Sequence, residues 1–234
     1  MRTRRGEPVR NRTAEFFLLL VMFAIVAVTT LPAERGVPAV ERWVFEAING
    51  LPSWPWLEWP VRIVMQAGAF FALPIIAGVA FLLKRFRLGV AVLVSGGTAY
   101  LLARFAKEFV ERRRPYELFL ADDVVVRGHV QTGLGFPSGH SAVAAAVVCA
   151  AIPYLVWRYK LWLLLVPVVV AFGRIYVGAH LPLDVVAGMS IGVATATIYH
   201  LMIQRVPEAV GEPDLDGPGS PTRDPGPTPE RATL

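Results

Sequence analysis

Eight residues of the 234-residue sequence have the types and spacing to handle a phosphate, and they fall in three clusters. Lys107 precedes Arg114-Pro115; Pro137-Ser138-Gly139-His140 follows; Arg174, His180 and Asp184 come last. Guanidinium forks and an ammonium match phosphate oxygens in geometry and charge. Ser138-Gly139-His140 opens an apolar run, so it belongs at a helix N-terminus, where unpaired amides and the helix dipole favour an anion and Gly139 allows close approach. Asp184 lies four residues after His180. That spacing lets a carboxylate hold one imidazole nitrogen and leave the other free to attack, while His140, beside the same anion, is placed for general acid and base work.

Each cluster alone has a plainer reading. Juxtamembrane cations meet lipid headgroups, Ser138 caps a helix, and His180 with Asp184 forms an ion pair without chemistry. Arg174 is harder to dismiss, because it falls within an apolar segment, where a charge is costly and marks function. Arg112 and Arg113 read as surface charges beside Arg114. Asp122, Asp123 and His129 read as solvated loop residues or part of a lid, and His200 falls at the opposite end of its helix from the clusters.

The elements that must position these groups are membrane helices. The chain is 55% hydrophobic, only 18% charged, and has a mean hydropathy of +0.51, values outside the range of an ordinary soluble domain. Six apolar blocks run at about 16–31, 63–83, 88–103, 141–157, 161–177 and 185–202. The expected fold is all-α: a six-transmembrane-helix bundle over residues 1–206 and a Pro/Gly-rich disordered cytoplasmic tail over 207–234. Val40, Trp43, Val44 and Ile48 repeat at helical spacing, which predicts a short amphipathic helix on the outer membrane surface. The single cysteine, Cys149, excludes an internal disulfide and a cysteine metal site.

Net charge is +5, but the basic residues flank apolar blocks, so they signal topology and not nucleic acid. Arginines before the first block, which is read as a retained helix and not a cleaved signal, place the N-terminus in the cytoplasm. Lys84-Arg85-Phe86-Arg87 and Arg158-Tyr159-Lys160 are then inner turns. On that layout the last helix returns the C-terminus to the cytoplasm, and all three clusters emerge together on the outer face. The basic run from Arg104 to Arg114 also lies outside, against the charge rule.

The order and spacing of the three clusters resemble the signature of the type 2 phosphatidic acid phosphatase family, over the span from the third block to the sixth. The resemblance implies a six-helix bundle, no metal or other cofactor, a phosphohistidine intermediate, and lipid phosphates or diphosphates as substrates. It makes His180 the nucleophile, with Asp184 and His140 as its catalytic partners, and gives phosphate binding to Lys107, Arg114, Ser138, Gly139 and Arg174. Undecaprenyl diphosphate, phosphatidate and phosphatidylglycerol phosphate fit the same site, an isoprenoid diphosphate of the bacterial cell envelope being favoured. Gly173 stands where the family often has serine, which puts one phosphate contact in doubt. A lipid phosphotransferase and a non-catalytic lipid-phosphate binding or transport protein remain the competing readings; the apolar blocks argue against a vanadate-dependent peroxidase.

Overall fold

The computed structural model describes residues 12–120 and 123–203, and all regular structure among them is helical. The helices are α1 (Arg12–Glu34), α2 (Ala39–Asn49), α3 (Pro55–Gln66), α4 (Ala72–Leu82), α5 (Phe86–Val110), α6 (Pro115–Leu118), α7 (Gly139–Ala151), α8 (Trp157–Tyr176) and α9 (Pro182–Ile203). A 3₁₀ turn, Ile152–Tyr154, extends α7. The expected tail at 207–234 lies outside the described residues.

Among the described helices, α1, α5, α8 and α9 are long and apolar enough to cross a bilayer, and α4 and the α7 segment are shorter apolar helices. At 1.5 Å per residue α5 is about 37 Å long. The second apolar block, expected as one helix, is broken. Its chain turns between α3 and α4 through successive i→i−3 bonds from Ala67, Gly68 and Ala69. Gly68 presses on the start of α7 so closely that a Cβ there would stand 2.3 Å from the His140 carbonyl oxygen.

Between α5, α7 and α9 the core is a seam of small residues. Ala142, Ala146 and Ala150 recur every four residues along α7, and Gly188, Gly192 and Ala196 do so along α9. A Cβ on Gly188 or Gly192 would fall 2.3 Å from the Ser138 oxygen and 2.2 Å from the Ala142 oxygen. The two backbones therefore touch, which is how helices associate when lipid removes the usual hydrophobic drive. Ala99 and Ala103 of α5 pack on Ala142 and Ala146, and Ala91 joins Ala150 and Ala196. Large apolar residues point outward instead: Phe16, Phe23, Leu82, Phe105, Phe109 and Leu161 are all exposed, as are all six tryptophans. That inversion suits a hydrocarbon solvent.

A helix forms where the amphipathic segment is expected, but with a different inner face. Glu41, Phe45 and Asn49 of α2 are buried, while Val40 and Trp43 are exposed. Asn49 explains part of this orientation, because its amide donates to Val125 O (2.9 Å) and Tyr176 O (3.1 Å) and accepts from Val125 N (2.9 Å). Arg127, buried, adds bonds to the carbonyls of Asn49, Leu51 and Tyr176 and stacks 3.9 Å above the Tyr176 ring. The end of α2, the end of α8 and the middle of the α6–α7 loop are thus tied at one point.

Candidate active site

The C-terminal ends of α5 and α8 and the N-terminal ends of α7 and α9 meet at one end of the bundle. Each end is made by a local device. Helix α5 stops at Glu111, whose left-handed backbone (φ 48°) closes the last turn onto Lys107 O. The chain leaves extended, pairing Arg113 with Leu134 and Arg112 O with Gly135 N (2.7 Å), until Pro115 opens α6. Ser138 caps α7, its hydroxyl accepting from Ser141 N (3.5 Å) and from the Ser141 hydroxyl (3.1 Å). Gly178 (φ 78°) follows the end of α8 in the left-handed conformation, and Pro182 opens α9, with Asp184 in its first turn.

These devices bring all eight residues of the three clusters to that one end. His180, fully buried in the α8–α9 turn, has Nδ1 3.3 Å from Asp184 Oδ2, so Nε2 is the nitrogen left for chemistry. Asp184 Oδ2 also accepts from Leu181 N (2.9 Å), and the Asp184 carbonyl accepts from Ser138 N (2.8 Å), which locks the second cluster to the third. Lys107 Nζ donates to the carbonyls of Leu134 (2.8 Å) and Gly135 (3.1 Å). His140 stands at the start of α7, half-buried, and a Cβ on Gly139 would meet nothing within 4 Å, so the cap opens onto free space.

The cations are the unusual feature. Arg174 is 5% exposed, yet among the described residues neither it, Arg114 nor Lys107 has a carboxylate within ion-pair distance. Burying unpaired charge is costly. Burial holds the Arg114 pKa below its ordinary value. Burial also pushes the His180 imidazole well below its ordinary value, with Arg174, Arg114, Lys107 and His140 adding to the effect, so the ring is neutral near pH 7.

Three residues of the site are absent from the sequence expectations. Gln131 Oε1 accepts from Arg114 Nη1 and Arg174 Nη2, both at 2.9 Å, and so ties the two guanidinium groups together. Arg112, which reads as a surface charge in the sequence, is buried: Nη1 reaches Asp184 Oδ1 (3.1 Å) and Glu41 Oε1 (3.0 Å). Burial opposes its charge, and Glu41 and Asp184 outweigh burial, so its pKa is raised. Arg113 is exposed, as expected, beside Glu117. An alternation of one buried and one exposed arginine in an extended segment is the only signal that separates them. Glu41 carries no such signal, because the face of α2 that it shares with Phe45 and Asn49 is not the apolar face read from the sequence. Gly173 does not address the phosphate clusters: a Cβ there would meet Met65 and Val61 of α3 at 2.8 Å. Of the loop residues, Asp123 pairs with Arg42 (3.7 Å), His129 is exposed, and Asp122 lies outside the described residues.

Comparison with known proteins places this arrangement. The chain is 33% identical over 153 residues to phosphatidylglycerophosphatase B of Bacillus subtilis (strain 168), covering 59% of this chain and 71% of that protein. It is 27% identical over 123 residues to an undecaprenyl-diphosphatase of Sulfolobus acidocaldarius, covering 51% of this chain and 57% of that protein. The crystal structure of the first transmembrane PAP2 type phosphatidylglycerolphosphate phosphatase from Bacillus subtilis superposes with a TM-score of 0.61 at 26% identity, over 83% of this chain and 98% of that one. The PAP2 superfamily sequence profile matches residues 86–208, a span that holds all three clusters. The chain belongs to the PAP2 superfamily.

Proposed function

We propose that this integral membrane lipid phosphatase hydrolyses a phosphate monoester or diphosphate on a membrane lipid, without metal, through a phosphohistidine on His180. The carrying observation is the set of three partly or fully buried cations, none with a carboxylate in ion-pair distance among the described residues, gathered around an imidazole held by Asp184. A phosphate dianion supplies the missing charge.

Lys107, Arg114, Arg174 and the amides after Ser138 hold the phosphoryl oxygens and stabilise them as they approach the in-line transition state. The lone pair of His180 Nε2 attacks phosphorus, the N–P bond forms, and the P–O bond to the lipid breaks. His140 delivers a proton to the departing oxygen. Asp184 accepts the Nδ1–H bond and stabilises the positive charge that grows on the ring. His140, now a base, takes a proton from water as its oxygen attacks phosphorus, and inorganic phosphate leaves with Nε2 restored.

Among the substrate classes, an isoprenoid diphosphate is favoured by the undecaprenyl-diphosphatase relative, and a phosphatidylglycerol phosphate by the Bacillus relative. The basic inner turns support a cytoplasmic N-terminus and C-terminus, with the site at the outer face of a bacterial cytoplasmic membrane. Protein purified in detergent, given chelator and offered these lipids, is expected to release inorganic phosphate. His180→Ala should lose all turnover, and His140→Ala about 100-fold or more. Full activity of His180→Ala, or loss of wild-type turnover with chelator, overturns the mechanism.

A further inference from the structure

Helix α2 lies before residue 86, where the superfamily profile begins, yet it sends one buried side chain into the catalytic cluster. Glu41 is 5% exposed, Arg112 5% and Asp184 0%, and the three form a continuous chain. Arg112 Nη1 donates to both Glu41 Oε1 (3.0 Å) and Asp184 Oδ1 (3.1 Å), Arg112 Nη2 donates to Glu41 Oε2, and Arg112 Nη2 also reaches Gly36 O (2.9 Å). Glu41 Oε1 further accepts from Leu183 N (2.8 Å), the residue next to Asp184.

We infer that Glu41 is a positioning residue for catalysis: through Arg112 and the Leu183 amide it sets the orientation of Asp184, and it offsets the Arg112 charge so that the field of the Asp184 carboxylate at His180 is not cancelled. Arg112 alone cannot do both. A single guanidinium against a single carboxylate cancels the charge that must stabilise the imidazolium-like ring of the intermediate. A second buried carboxylate on the far side of Arg112 leaves the trio with a net charge of −1, while the fork still pins Asp184 Oδ1 and leaves Oδ2 to the ring. The inference rests on the proposed phosphohistidine mechanism, in which His180 needs that charge.

Glu41→Gln tests it, because the amide keeps its shape and can still accept from Arg112 and Leu183 through one oxygen while losing the charge. The expected result is a kcat lower by roughly 10- to 100-fold with KM within about threefold, the pattern of an interaction made in the transition state. The same substitution in an Asp184→Asn background should cost less than about threefold, because Glu41 acts through Asp184. Wild-type kcat in Glu41→Gln, or an equal loss in both backgrounds, overturns the inference. If Glu41→Gln does not fold, Glu41→Asp, which shortens the reach to Arg112 and Leu183, with and without Asp184→Asn gives the comparison: a loss confined to the Asp184 background supports the inference, and no loss or an equal loss overturns it. His180→Ala measured alongside separates the failures: its activity sinks the phosphohistidine reading, whereas an inactive His180→Ala beside a fully active Glu41→Gln sinks only the role of Glu41.

Discussion

His180 is a base held neutral by its surroundings, and this has a measurable consequence. Its pKa in the folded chain lies well below 6.5, and in the unfolded chain it returns to about 6.5. Between those two values the unfolded chain binds a proton that the folded chain refuses, so stability falls as pH drops below about 6.5. The apparent Tm in detergent should therefore decline from pH 7.5 to pH 5, and His180→Asn should decline less over the same interval. Identical pH profiles for the two proteins would show that the ring is not desolvated as described. In the proposed mechanism the same shift keeps the His180 Nε2 unprotonated under mildly acidic conditions. The types and spacing of the eight clustered residues are readable from the chain because catalytic signatures are local: His180 and Asp184 share one turn, and Ser138 to His140 share one cap. Gln131 has no such legibility, since an isolated glutamine in a loop carries no periodic or spacing signal until the fold brings two arginines to it.

The helices position these groups through contacts with no tolerance for added atoms. Gly188 faces the Ser138 carbonyl with 2.3 Å to a notional Cβ, and carbonyl backbone cannot swing aside as a side chain can. Gly188→Ala should displace the α7 cap, costing about 1–3 kcal/mol in stability and about tenfold or more in kcat, since small misplacements at a reacting centre are expensive. Gly97→Ala, where a Cβ meets nothing within 4 Å, should leave activity unchanged within about twofold and raise helix stability slightly. Steady-state kinetics and thermal unfolding of both variants check this pair. The existence of apolar helices is legible in the hydropathy of the blocks. The break between α3 and α4 is not: it coincides with the close approach of Gly68 to His140, a contact across 72 positions of the sequence.

At the level of the whole molecule, many bulky apolar residues outside and a seam of small ones between α5, α7 and α9 define a bundle suited to lipid, with the three clusters at one end. The proposed orientation rests on the charge of the basic turns, and it is open to direct measurement. His129 is exposed in the loop at the site's end of the bundle, so His129→Cys in a Cys149→Ser background reports the side on which that loop lies. An impermeant thiol reagent added from outside should label it in intact cells. Labelling only after the cytoplasm is opened reverses the proposed topology.

What the sequence by itself determined is the membrane character, the helical class and the membership of the three clusters, because hydropathy and motif spacing are properties of neighbouring residues. It also indicated the turn at Gly178 to Pro182, where each residue's backbone preference is intrinsic. Only the tertiary structure decided that Arg112 faces inward while Arg113 faces out, that Gly173 meets α3, and that Glu41 reaches Asp184 through Arg112. The reason is physical: a buried charge is stable only where a distant partner and several hydrogen bonds offset its desolvation. For Arg112, in an extended segment, that partner lies 71 residues away on α2, and no local pattern encodes the meeting.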